Sequence, residues 1–261
     1  VTDSNEFSPV FSSGASASVA ENQTSAYTAV ATDADGSSAI TYSISGTDAA
    51  LFNINASTGV VVFRKAPDFE DPTGTSFDII VTASDGSNST DQAVTINVTD
   101  VNEAPVFTSA TSASVAENTT EAYTAAASDD DLTSPTYAIV GGVDASLFTI
   151  DATSGVVSFI TPPDFEAAGD DDGDNDYEIT VRATDGVNNV DQNVTISVTD
   201  LNDNSPVFTS ATTSAVLEGT VTAYDADATD ADAGTALIYS ISGIDAGHFS
   251  INSSTGVVTF N

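Results

Sequence analysis

The chain has 261 residues, 39 of them Asp or Glu against 3 Lys or Arg, for a formal net charge of −36. That balance excludes nucleic acid, whose phosphates need clustered Lys and Arg, and excludes an anionic membrane surface for the same reason. The hydrophobic fraction is 40%, with no Cys and no apolar run long enough to span a bilayer, so the chain reads as folded rather than as a disordered acidic tail, a disulfide scaffold or a directly membrane-inserted segment.

The chain opens on VTDSNEFSPVF, Val1 to Phe11, and the phrase returns as VTDVNEAPVF at Val98 to Phe107 and as VTDLNDNSPVF at Val198 to Phe208. Its Pro-Val-Phe end falls at Pro9, Pro105 and Pro206, separations of 96 and 101 residues. That spacing is one small domain, so the phrase is a junction between repeats. The boundaries follow: residues 1–7 end a preceding repeat or linker, 8–100 form repeat one, 101–200 repeat two and 201–261 repeat three. Because Val1 falls inside a phrase, the sequence is expected to be part of a longer chain. After each junction comes a V-x-E step, SVAEN at Ser18, SVAEN at Ser114 and AVLEG at Ala215. A Tyr-centred strand follows from Ala26, Ala122 and Ala223, then a further strand at Ile40–Gly46, Pro135–Gly142 and Leu237–Gly243.

Next comes a hairpin written three times: LFNINASTGVVVF, LFTIDATSGVVSF and HFSINSSTGVVTF. Its alternating apolar residues mark half-buried strands, and Gly59, Gly155 and Gly256 are free to take positive φ at the turn. Repeats one and two continue through PDFE into FDIIVTASDG or YEITVRATDG, where Phe77, Ile79, Val81 and Ala83, like Tyr177, Ile179, Val181 and Ala183, share one face. A last strand, AVTINVTD or NVTISVTD, leads back to the junction. Seven short antiparallel strands per hundred or so residues, with no helical periodicity, predict an all-β chain of tandem immunoglobulin-like Greek-key β-sandwiches joined end to end. Repeat three stops after its fifth strand, which leaves inner apolar faces and strand edges uncovered. It is completed either by further residues of the same chain, the preferred reading, or by strands from another chain.

The junction phrases gather carboxylates and amide oxygens without basic residues, the donor set of a hard cation such as calcium. Taken together, V-A-E-N, D-A-D-G, P-D-F-E, A-S-D-G and D-x-N-D-N-x-P-V-F at these intervals resemble the cadherin repeat, and look most like the cadherin-like repeats of large secreted bacterial adhesins. The resemblance covers the whole chain. It implies Ca2+ ions held where successive repeats meet. Carried over, the first junction would use Glu21, Asp68, Glu70, Asp100, Asn102 and Glu103, with Asp129, Asp131 and Asp185 from repeat two. The second would use Glu117, Asp164, Glu166, Asp200, Asn202 and Asp203, with Asp230 and Asp232 from repeat three. Val101, Leu201 and Asn204 stand where the family uses main-chain oxygens. Asp3, Asn5 and Glu6, with Asp33, Asp35 and Asp85, would form the distal part of a further site. Two departures stand at the first junction: Glu103 replaces the family's Asp and Ala104 its last Asn.

Other features read more simply. GDDDGDNDYE, Gly169 to Glu178, is similar to an EF-hand loop but has Ala168 where the first ligand belongs, and is expected to be a solvated loop. His248 replaces Leu51 and Leu147 of the other hairpins, a packing position. Arg64, Lys65 and Arg182 are too few and too dispersed for an anion site. Seven Asn-x-Ser/Thr sequons occur, a number that an Asn-, Ser- and Thr-rich sequence generates by chance.

No catalytic constellation stands out, so a non-enzymatic protein is expected. The leading reading is an extracellular, calcium-rigidified adhesion or spacer array of a secreted or cell-surface protein. Its partners would be calcium ions, neighbouring repeats, and homotypic, cell-surface or glycan ligands. The alternatives are a subunit of an extracellular filament or sheath, with strand donation between chains, and a carbohydrate-binding module of a large secreted protein. The chain has no Trp, so adhesion by insertion of a Trp into a partner does not carry over.

Overall fold

A computed structural model describes residues 5–35, 39–72, 74–131 and 133–261. The chain divides into two compact units, one ending at Glu103 and one beginning at Ala104. The described residues form strands and three single turns of 3-10 helix at Ala49–Leu51, Ala145–Leu147 and Ala246–His248.

The first unit contains β1 (Val10–Phe11), β2 (Ser16–Ala20), β3 (Ser25–Thr28), β4 (Ala31–Thr32), β5 (Thr41–Ser45), β6 (Phe52–Ile54), β7 (Val60–Phe63), β8 (Ser76–Ser84) and β9 (Ser89–Thr99). One sheet runs β2-β9-β8-β5 and the other β3-β7-β6, while β1 pairs with β4. The alternation read in the sequence is the burial pattern: Phe77, Ile79, Val81 and Ala83 of β8 are all buried. They meet Phe52 and Phe63 of the facing sheet, and the rings of Phe52, Phe63 and Phe77 pack with centroids 4.5, 5.5 and 6.0 Å apart. Gly59 closes the hairpin at φ 70°. A Cβ there would stand 2.2 Å from the Ala29 carbonyl oxygen, so a side chain is excluded by space as well as by φ.

The second unit repeats this plan with β10 (Val106–Phe107), β11 (Ser112–Ala116), β12 (Glu121–Thr124), β13 (Ala127–Ser128), β14 (Thr136–Gly141), β15 (Phe148–Ile150), β16 (Val156–Phe159), β17 (Asp176–Thr184) and β18 (Asn189–Thr199). Its sheets are β11-β18-β17-β14 and β12-β16-β15, and Phe148, Phe159 and Tyr177 repeat the aromatic triad. Where Phe77 stood, the Tyr177 hydroxyl accepts a hydrogen bond from the Gly169 N–H at 3.3 Å.

The all-β sandwich expectation holds, with two corrections to the pairing. The strands are not all antiparallel: β2 lies parallel to β9, and β11 parallel to β18. The opening segment first pairs outside the two main sheets, β1 running antiparallel to β4, and Ser12 and Ser13 then bond the Val30 carbonyl before the chain enters β2. The second correction concerns repeat three. It contains β19 (Val207–Phe208), β20 (Thr222–Asp225), β21 (Ala228–Thr229), β22 (Phe249–Ile251) and β23 (Val257–Phe260), of which β20-β23-β22 form a sheet. The expected strand at Leu237–Gly243 makes no ladder, and Leu217, Ile238 and Ile244 are exposed. In the other repeats that segment pairs with the strand corresponding to β8 or β17, and the 261-residue sequence carries no third copy of it.

Candidate metal centre

The parallel ladder decides where the acids emerge. In the second unit Ala116 pairs with Thr199, so the next residues of the two strands, Glu117 and Asp200, leave the sheet side by side. The first unit does the same: Ala20 pairs with Thr99, ahead of Glu21 and Asp100. An antiparallel pair would put these residues at opposite ends of the sandwich.

Glu117 is almost fully buried, 1% exposed. Its Oε2 accepts the Phe165 N–H at 2.8 Å and its Oε1 the Leu201 N–H at 2.8 Å. One carboxylate thus ties the PDFE segment and the junction phrase to the end of β11. Asp164 Oδ1 accepts the Glu166 N–H at 3.1 Å, a local turn that sets the direction of Glu166. Glu117, Glu166 and Asp200 bring carboxylate oxygens within 4.8 Å of one another, and Glu166, Asp203 and Asp232 form a second such triplet. Glu166 belongs to both.

Repeat three enters this site through Asp232, which is buried. Its Oδ1 accepts the Asp203 N–H at 3.3 Å and its Oδ2 the Asn204 N–H at 3.0 Å, while Asp230 Oδ1 accepts the Asp232 N–H at 3.1 Å. Asp200 Oδ2 accepts the Ala233 N–H at 2.7 Å; its Oδ1 is buried without a hydrogen-bond partner among the described residues. The Asn202 side chain donates instead to Thr235 Oγ1 at 3.2 Å. Desolvation pushes the Glu166 carboxyl above its ordinary value; its own N–H opposes this, and the charges of Glu117, Asp200 and Asp232 add to it. Asp232 moves the other way, because hydrogen bonds from the Asn204 side chain and from the Asn204 and Asp203 N–H groups outweigh its desolvation. An all-oxygen set rich in carboxylates, with one buried oxygen left over and like charges crowded together, fits Ca2+.

In the first unit, Glu21 repeats the splint, accepting the Phe69 and Val101 N–H groups at 2.7 and 2.9 Å. Glu21, Asp68 and Glu70 gather within 4.8 Å, and Glu103 Oε1 accepts the Asn22 amide at 2.5 Å. Asn102 Nδ2 donates to the Glu103 carbonyl at 2.6 Å. At the other end of that unit, Asp85 accepts the Ser87 and Asn88 N–H groups at 2.7 and 2.6 Å, and Asp35 the Phe7 N–H at 2.8 Å. Asn88 Nδ2 reaches Asn5 Oδ1 at 3.4 Å, and Asp33 and Asp85 each keep one buried Oδ2 without a hydrogen-bond partner among the described residues. Asp3 lies outside the described residues. At the corresponding end of the second unit, Asp129, Asp131 and Asp185 form a further triplet, with the Asp129 Oδ2 buried and unpartnered.

Two residues of the V-A-E-N motif were given no role at the site by the sequence reading. Asn22 and Asn118 follow the buried glutamates at φ 61° and 62°, and Asn118 Nδ2 donates to Asp203 Oδ2 at 2.6 Å. The third copy has Gly219 there, at φ 88°. An Asn, Asn, Gly column is the sequence mark of a left-handed position. The loop at Gly169 is organised by Asp170, whose carboxylate accepts the Gly173, Asp174 and Asn175 N–H groups.

The chain is similar to known proteins along nearly its whole length. The Cadherin domain family model matches residues 15–99 and 111–201. The human "Cadherin EGF LAG seven-pass G-type receptor 2" is 34% identical over 295 residues, covering 99% of this chain and 10% of that protein. The chain therefore spans about a tenth of the length of that curated relative. The crystal structure of mouse cadherin-23 EC22-24 superposes with a TM-score of 0.59 at 23% identity, over 98% of this chain and 88% of that one, a likeness of fold. The protocadherin GammaB4 extracellular domain does so with a TM-score of 0.57 at 25% identity, over 100% of this chain and 45% of that one. Among the described residues no helix is long and apolar enough to cross a membrane.

Proposed function

This chain belongs to the cadherin-domain family, an extracellular repeat fold, and from that premise we propose that it is a calcium-binding, calcium-rigidified adhesion or spacer segment of a secreted or cell-surface protein. We divide it into repeats at 8–100, 101–200 and 201–261, with no catalytic role. The observation that carries the reading is Glu166, shared by two carboxylate triplets that draw on the PDFE segment, the junction phrase and Asp232 of repeat three.

Calcium bound there would neutralise the crowded charge and take oxygens from repeat two, the linker and repeat three together. The protein's part is positional. Glu117 holds the PDFE segment and the linker to one strand end, and Asp200 holds the linker to the Ala233 amide. Asp164, Asp230, Asn202 and the main-chain oxygens of Leu201 and Asn204 complete the proposed set. The phrase at Val98 to Phe107 carries the same residue types apart from Glu103, Ala104 and the lack of a counterpart to Ser205, so the reading extends to Glu21, Asp68, Glu70, Asp100, Val101, Asn102, Asp129, Asp131 and Asp185. Kinship with bacterial adhesins rests on the sequence resemblance alone.

Native mass spectrometry with and without EGTA, paired with limited proteolysis, tests the proposal. Expected are calcium adducts on a monomer, removed by chelator, with cleavage near Asp100 and Asp200 rising when they go. An identical mass and digestion pattern in both conditions overturns it. Fibres formed at working calcium would favour the filament reading, and glycan binding that maps to these residues the carbohydrate reading.

A further inference from the structure

The Asn204 side chain occupies the centre of the second triplet. Its Nδ2 donates to Glu166 Oε2 at 3.1 Å, Asp203 Oδ1 at 3.0 Å and Asp232 Oδ1 at 3.0 Å. An amide nitrogen has two hydrogens, so three acceptors at nearly equal distance place it between them. Those are the residues whose oxygens converge within 4.8 Å. Asn204 is also anchored from behind, because its main-chain N–H bonds Asp232 and its side chain has only to pivot.

We propose that the Asn204 amide is a displaceable stand-in for the metal, holding Glu166, Asp203 and Asp232 together before calcium arrives and competing with calcium for them. This rests on the calcium reading above. Like charges brought this close repel, and an amide donor between them offsets that repulsion with charge-assisted hydrogen bonds. A cation drawing on the same oxygens must drive the amide out, so the bonds that steady the calcium-free junction are lost on binding. Asn204 therefore weakens calcium binding while ordering the site in advance. The first copy of the phrase has Ala104 at this position, a side chain that can neither order nor compete.

The test is Asn204→Ala in the full chain, read by hydrogen exchange at the Asp203 and Asp232 amides in EGTA and by calcium titration. Expected are faster exchange in EGTA and a calcium midpoint about five- to tenfold lower, the scale of one hydrogen bond to a charged acceptor after discounting exposure. Asn204→Asp, which replaces the donor with a further carboxylate, is expected to move both readouts in the same direction. Exchange and midpoint equal to wild type, or a midpoint moved to higher calcium, overturns the proposal while leaving the calcium reading intact. A wild-type chain that takes up no calcium at all fails the calcium reading, and the proposed competition fails with it.

Discussion

Glu117→Gln isolates the buried carboxylate that joins three segments. The side chain keeps its size, but one end becomes an NH2 group facing a main-chain N–H that had a carboxylate oxygen at 2.8 Å. A charge-assisted hydrogen bond is lost, a buried donor is left unpaired, and the surviving bond falls to neutral strength. Together these cost about 2–4 kcal/mol at a site this buried. In EGTA the loss is read as a shift in the urea midpoint of the second unit with unchanged m value, and locally as faster exchange of the Phe165 and Leu201 amides. Calcium provides a second, independent reading. At a hundredfold excess over its Kd, a ligand that binds only the folded state adds about 2.7 kcal/mol, and this increment should shrink in the variant. A Glu117→Gln chain within about 0.5 kcal/mol of wild type in EGTA, against a hydrogen-bond loss of the size above, would refute the splint; an undiminished calcium increment would refute Glu117 as a ligand.

Two further outcomes follow from the same geometry. Gly155→Ala puts a Cβ 2.2 Å from the Ala125 carbonyl oxygen at φ 71°, and is expected to lower stability by about 3 kcal/mol through left-handed strain plus the shift forced on Ala125, the residue after β12; urea unfolding checks it, and a loss under about 1 kcal/mol contradicts the packing described. Glu166→Gln tests the repulsion. Because the folded-state carboxyl of Glu166 sits above its ordinary value, any stability it contributes is present when protonated and lost as pH rises through that value. In EGTA the variant should thus be more stable than wild type at neutral pH, and the difference should vanish toward about pH 4, where the carboxyl is protonated in the unfolded chain as well. A variant less stable than wild type across that range means the site is not repulsive without calcium.

The hairpins were legible in sequence because each of their requirements is local: apolar alternation, a turn, and a glycine with no room for a Cβ. The acidic positions were legible for a different reason, recurrence at domain spacing. What the sequence did not reveal were the hydrogen bonds that fix them. Nothing near SVAEN announces that the glutamate reaches two amides 48 and 84 residues away. Nor does SASVA say which way it pairs, since the alternation of Ser16–Ala20 reads the same beside a parallel or an antiparallel neighbour. The segment Leu237–Gly243 marks the limit of pattern reading: it repeats the alternation of Thr41–Ser45, yet without a partner strand it forms no ladder.

That unread direction of pairing is what makes the site. A sandwich whose first and last long strands ran antiparallel would send the glutamate and the aspartate to opposite ends, and no junction phrase of this length could reunite them. With Ala116 opposite Thr199, the two strands end level, and the acids that follow them are brought together by main-chain hydrogen bonds alone. The core residues of β17 and β18 hold that register: Val181, Ile196 and Val198 are fully or nearly fully buried, so a slip of one residue would turn them all outward. Charge crowding among Glu117, Glu166 and Asp200 is therefore imposed by packing some distance away, and the sandwich core supplies the stability that keeps these carboxylates together.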